Sequence, residues 1–114
     1  MLTQDDIRRI ALDLPEAYEA PHFDVTSFRV AKKIFCTVHV DVPRIVLKLD
    51  PEDQHNLAEE DPAIEPVGST DGKWVSSGRR GWTYVWYEKL APDRLPGLMR
   101  MAWATVAPKR LLKA

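Results

Sequence analysis

The spacing of apolar positions along the chain changes period several times, and each change marks an element. Ile7, Ile10, Ala11 and Leu14 recur on one helical face, and Pro15 stops the run. Thr3 is a good N-cap, with Asp6 three residues on and Leu2 placed to pack on Ile7. The pattern predicts a helix over about residues 4–13. The period then falls to two. "DVTSFRV" (24–30) and "KKIFCTVHV" (32–40) read as strands joined by a tight turn. "PRIVLKL" (43–49) reads as a third, with Ile45, Leu47 and Leu49 on one side. Asp50 and Pro51 open a second helix over "PEDQHNLAEED", and Pro62 and Pro66 bracket a short extended "AIE". Residues 67–81, "VGSTDGKWVSSGRRG", read as a turn-rich connection bent at Asp71-Gly72 and Gly78. "WTYVWYEKL" (82–90) has the strongest strand pattern in the chain. Pro92 opens a last helix, on which Leu95, Leu98, Met99, Ala102 and Val106 form a core-facing stripe. Pro96 is tolerable in its first turn, and Pro108 ends it before a basic tail, "KRLLKA".

The order α-β-β-β-α-β-β-α, with short connections, predicts an α+β fold of two layers: an antiparallel sheet with helices on one face. The 114 residues, without repeats or a long linker, suit one domain over 1–114. A chain of this length buries roughly 65% of its unfolded surface, enough for a core without staples. The sheet then has a second face. Thr83, Val85 and Tyr87 point to one side of the last strand, and Trp82, Tyr84 and Trp86 to the other. One of these rows must meet the helices.

Charge sharpens the question of what the other row meets. The chain carries a net −1, which argues against a strongly basic nucleic-acid binder. The distribution is uneven, however. Residues 1–67 hold 7 Lys and Arg against 14 Asp and Glu, whereas residues 68–114 hold 9 against 3. An anionic partner would meet mainly the second half, unless the halves neutralise each other across a packed interface. A single cysteine, Cys36, excludes an internal disulfide and fits a reducing, cytoplasmic setting. The charged N-terminal stretch does not read as a signal peptide, and no apolar run reaches membrane length.

Most candidate chemistry fails on spacing. His22, His39 and His55 fall in no metal-binding pattern; His39 with Asp41 is the best pair, and no metal or cofactor is expected. Cys36 lies on an apolar strand face, where a thiol is inert. "GSTDGKW" (68–74) has three residues between its glycines rather than four, so it is a turn and not a phosphate loop. Asp5-Asp6 suits a helix start, and Glu59-Glu60-Asp61 lies at a helix end. No catalytic constellation is visible, so no enzymatic activity is expected. What remains is Arg79-Arg80, between Gly78 and Gly81, beside the aromatic row. Arginine forks suit phosphates, and neighbouring aromatics can hold bases. The alternative is a solvated turn, with the tryptophans covering the core or a dimer interface.

Five pieces in order resemble the MmcQ/YjbR family, small proteins usually described as predicted DNA-binding proteins. They are "LPEAYEAPHF" (14–23), "SFRVAKKIF" (27–35), "VLKLDPEDQHNL" (46–57), "GRRGWTYV" (78–85) and "AWATVAPKRL" (102–111). The resemblance implies a two-layer α/β domain similar to type III secretion chaperones, with Thr83, Val85 and Tyr87 in the core. The chain departs from the family at the glycine-free turn Ala31-Lys32, at an apparent insertion over 75–77, and at Ala104, where the family often has arginine. The expected function is non-enzymatic DNA binding. Arg79, Arg80, Lys73 and Arg29 would meet phosphates, helped by Lys109 and Arg110, with Trp82, Tyr84 and Trp86 as contact area. A homodimer or protein-interaction module using the aromatic face is the first alternative, and a small-ligand binder the second.

Overall fold

The structure, a computed structural model, describes residues 2–23, 25–39, 41–68 and 76–112. Its helices are α1 (Gln4–Leu12), α2 (Pro51–Glu60), the short α3 (Ser76–Arg79), α4 (Leu95–Val106) and the short α5 (Lys109–Leu112), with a 3-10 turn at Pro92–Arg94. Its strands are β1 (Tyr18–His22), β2 (Val25–Val30), β3 (Lys33–Val38), β4 (Arg44–Lys48), β5 (Ile64–Pro66) and β6 (Trp82–Trp86). All described strands join one antiparallel sheet in the order β1-β2-β3-β4-β6-β5. The fold is the expected α+β arrangement.

Local chemistry explains where the helices start. Thr3 accepts from the Asp6 amide while the Asp6 carboxylate accepts from the Thr3 amide, a reciprocal capping box. Those bonds, with Arg9, hold the Asp6 carboxyl below its usual range. Asp50 accepts from the Glu52 amide and Pro51 occupies the first helical position of α2. Leu2 and Ile7 are both buried.

The helices take one face of the sheet. Alternating residues of β3, β4 and β6 (Cys36, Val38; Ile45, Leu47; Thr83, Val85) are buried beneath them. Leu95, Leu98, Met99 and Ala102 of α4 meet that face, and α1 packs on α4. Trp103 is also buried there, its indole N–H donating to the Pro15 carbonyl at 3.0 Å. Val106, placed in the stripe by periodicity, is only half-buried.

Two features, β1 and the helical turn at Ser76–Arg79, differ from the pattern reading, while the β2–β3 turn stands where that reading placed it. β1 is an addition to it, because Pro21 disqualifies a central strand; here it stands in an edge strand, where its missing N–H costs nothing. The β2–β3 hairpin turns at Ala31 (φ 51°) and Lys32 (φ 68°), both left-handed without the usual glycine. Ser76–Arg79 forms a helical turn, so Arg79 and Arg80 stand at a short helix end and not on an open loop. Arg29 pairs with Ile34 and Phe28 with Cys36, which leaves Phe35 unpaired and buries both Phe35 and Cys36. Among the described residues, no helix is long and apolar enough to cross a membrane.

Candidate nucleic-acid interface

The helix-free face of the sheet is built from three cross-strand rows, because paired residues of antiparallel strands point the same way. The first row contains His22, Val25, His39, Arg44 and Trp86. The middle row is Ala20, Ser27, Thr37, Val46, Tyr84 and Glu65. The third includes Tyr18, Arg29, Lys48 and Trp82. Small side chains fill most of the middle row and large ones flank it. The result is a trough of about 440 Å³ with Thr37 and Val46 on its floor and Tyr84 and Trp82 among its walls.

Cations lie against each half-buried ring on this side of β6. The Arg44 guanidinium sits 3.9 Å from the Tyr84 ring centre and 5.3 Å from that of Trp86. Lys48 is 5.7 Å from the Trp82 ring and Lys89 is 5.8 Å from Trp86. Arg44 also donates to His39 Nδ1 at 2.8 Å. A guanidinium has no acceptor, so in this bond the ring nitrogen is the accepting atom. Glu65 shares this face and accepts from the Trp86 indole at 2.9 Å.

The arginine turn is clamped to the sheet from below. A Cβ on Gly78 would meet the Val67 carbonyl oxygen at 2.2 Å, and one on Gly81 (φ 104°) would meet that of Leu49 at 1.8 Å. The two glycines therefore admit the protein's own backbone, where the residue pattern suggests room for a partner's. Lys48 Nζ donates to the Arg80 carbonyl. Burial, and then the nearby Arg80 guanidinium, hold the Lys48 ammonium below the usual lysine range, while Asp50 pulls the other way. Gln54 of α2 completes the clamp, its amide nitrogen lying 3.0 Å from the Gly78 carbonyl and 3.1 Å from that of Trp82.

The expected site residues divide accordingly. Trp82, Tyr84 and Trp86 line the helix-free face, while Thr83, Val85 and Tyr87 are buried on the other. Arg80 and Arg79 are exposed at one end of β6. Arg29 is on the same face but three strands away, on the order of 14 Å, donating to Ser27 and the Pro21 carbonyl. Arg110 is elsewhere: it forms a two-pronged pair with Glu16 at 2.6 and 2.8 Å, beyond α4 in the helical layer, and Lys109 adjoins it on α5. Lys73 lies outside the described residues. Arg94 likewise pairs with Asp61 at 2.5 Å, so cations of the basic half do partly neutralise the acidic half. Sequence pattern does not single out Arg44 and Lys48. Both sit in the acidic half, and only the register Arg44–Trp86 and Lys48–Trp82 brings them to the rings. Burial pushes the Cys36 thiol up, as expected of an inert core cysteine. Among the described residues, no group of three or more His, Cys, Asp or Glu is placed to hold a metal.

A family model for YjbR matches residues 12–105. The chain belongs to the YjbR family. The YjbR family is not a known enzyme family. Among solved structures, this YjbR chain is similar to a Deinococcus radiodurans protein, DR2400, with a DUF419 domain. The two share 24% identity and a TM-score of 0.74, over 93% of this chain and 79% of that one. The likeness supports the fold: DUF419 is the YjbR architecture. No curated protein matches the chain.

Proposed function

We propose that this YjbR-family protein is a non-enzymatic, cytoplasmic DNA-binding protein that uses the helix-free face of its sheet. The observation that carries the reading is the row Trp82, Tyr84 and Trp86 with a cation within 5.8 Å of every ring. Such a surface offers phosphates a charge and bases a flat face at the same place. Lys48, Arg79, Arg80 and Arg44 are the backbone contacts. Burial chiefly, and then Arg80, disfavours the charged form of Lys48, and a phosphate between the two cations would offset the second of these. Arg29 extends the surface, and Lys73 belongs to the same contact set by its place in the sequence. Lys109 and Arg110 are left out of it.

The test is a salt titration of binding to a random duplex. With about four phosphates neutralised, affinity falls roughly a hundredfold between 50 and 200 mM salt. Replacing Lys48 and Arg80 with glutamine reduces the salt slope by about two. Absence of salt-sensitive binding at micromolar protein rejects the reading.

A second reading, pairing of two copies through this face, draws on Phe23, which is 93% exposed at the β1–β2 turn. Pairing with a copy there would remove that ring from water. A stable dimer in light scattering, lost on Trp86→Asp, would favour it.

A further inference from the structure

The trough, at about 440 Å³, has the volume of a small-molecule site. Its floor, Thr37 and Val46, is bounded on one side by Trp82 and closed at the end by Tyr84, itself backed by Arg44. Phe23 adjoins the trough through His22 and itself lines a neighbouring hollow with Arg8, Glu19 and Thr26. Its backbone is left-handed (φ 55°), a conformation that costs a non-glycine residue, and its ring is 4.7 Å from His22, which lines the trough. Within the monomer the edge-to-face contact with His22 leaves Phe23 93% exposed. Lys48, paired across from Trp82, puts a cation at the trough's edge. Apolar walls, a flat opening and an adjacent cation together select a planar heterocycle carrying an anionic substituent.

We propose that the trough seats one unpaired nucleobase, with its phosphate at Lys48 and Arg80 and Phe23 as its outer stacking face. The inference rests on the DNA-binding reading and narrows it to single strands or free nucleotides. Neither is visible in the sequence, since the trough depends on which residues stand opposite one another across four strands.

The experiment compares a labelled single-stranded oligonucleotide, the same sequence as duplex, and a nucleoside monophosphate, by anisotropy and competition. Two variants are included: Phe23→Ala, on a side chain that packs on nothing in the core, and Thr37→Phe, which fills the trough floor while keeping a strand-favouring residue. Circular dichroism confirms that both are folded. Single strands are expected to bind at least tenfold tighter than duplex, and Phe23→Ala to weaken them about tenfold. Thr37→Phe removes the preference for single strands. Binding of the mononucleotide, lost in Thr37→Phe, also supports the site and identifies a free nucleotide as its source. Duplex bound as tightly as single strand, with both variants indifferent, overturns the inference and leaves DNA binding standing. No binding in any arm overturns both, as does a dimer abolished by Phe23→Ala without nucleic-acid binding.

Discussion

The Gln54 side-chain amide lies 3.0 Å from the Thr83 hydroxyl, joining α2 to the central residue row of β6 inside the core. Thr83 can accept that bond because its own proton goes to the Gly81 carbonyl at 2.9 Å. The Gln54 nitrogen thus shares two hydrogens among Thr83 and the carbonyls of Gly78 and Trp82. Gln54→Leu leaves the buried Thr83 oxygen without a donor and takes one of two donors from each of the Gly78 and Trp82 carbonyls, which keep the Gly81 and Val67 amides. It is expected to cost about 2 kcal/mol in urea denaturation. Gln54→Glu costs more, because an ionised carboxylate would face three oxygens.

The glycines give a sharper contrast. Gly81→Ala collides with the Leu49 carbonyl and forces a side chain onto a positive φ, so a loss above about 3 kcal/mol or failure to fold is expected. Gly97, exposed in α4, has open space where a methyl group would sit, with no neighbouring atom within 4 Å. Gly97→Ala is expected to stabilise by about 0.5–1 kcal/mol, read from the thermal midpoint.

Arg44 separates charge from geometry. Arg44→Lys keeps the cation but gives up the flat stack on Tyr84 and the bond to His39. The salt slope of DNA binding is expected to stay the same while affinity falls severalfold. Arg44→Gln lowers the slope by about one. Equal slopes in all three proteins would remove Arg44 from the interface.

The Glu16–Arg110 pair predicts an acid-limb effect. The Arg110 guanidinium, chiefly by hydrogen bonding, holds the Glu16 carboxyl below its usual value of 4.5. The unfolded chain therefore takes up this proton first as pH falls. The pair's contribution is present above about pH 4.5 and disappears as pH drops through the lowered folded value. Arg110→Met is expected to flatten that part of the stability profile, measured by denaturant titrations between about pH 3 and 6. The same variant leaves DNA affinity within about twofold, since Arg110 is remote from the aromatic face.

Much of this can be read from residue order alone. Thr3 with Asp6, and Asp50 with Pro51, mark helix starts by local hydrogen bonding, which is a sequence-local property. The alternation of β6 assigns Thr83 and Val85 to the core and Trp82, Tyr84 and Trp86 to the other face for the same reason. Register is not local. Arg44 and Lys48 reach the rings only because β4 pairs with β6, some forty residues on, and nothing in "PRIVLKL" announces that partner. Arg110 shows the converse effect: its tail looks free along the chain but folds back onto Glu16, 94 residues earlier. Gly78 and Gly81 mark a close approach without saying to what.

Residues 48–54 hold the arginine turn at several points: Lys48 at the Arg80 carbonyl, Leu49 at Gly81 with a 2.9 Å amide bond, and Gln54 at Gly78. The guanidinium platform and the first turn of α2 therefore behave as one mechanical unit. A reporter on the exposed side of that helix, at Asp53 for example, would register an anion arriving at Arg80 without touching the binding surface itself.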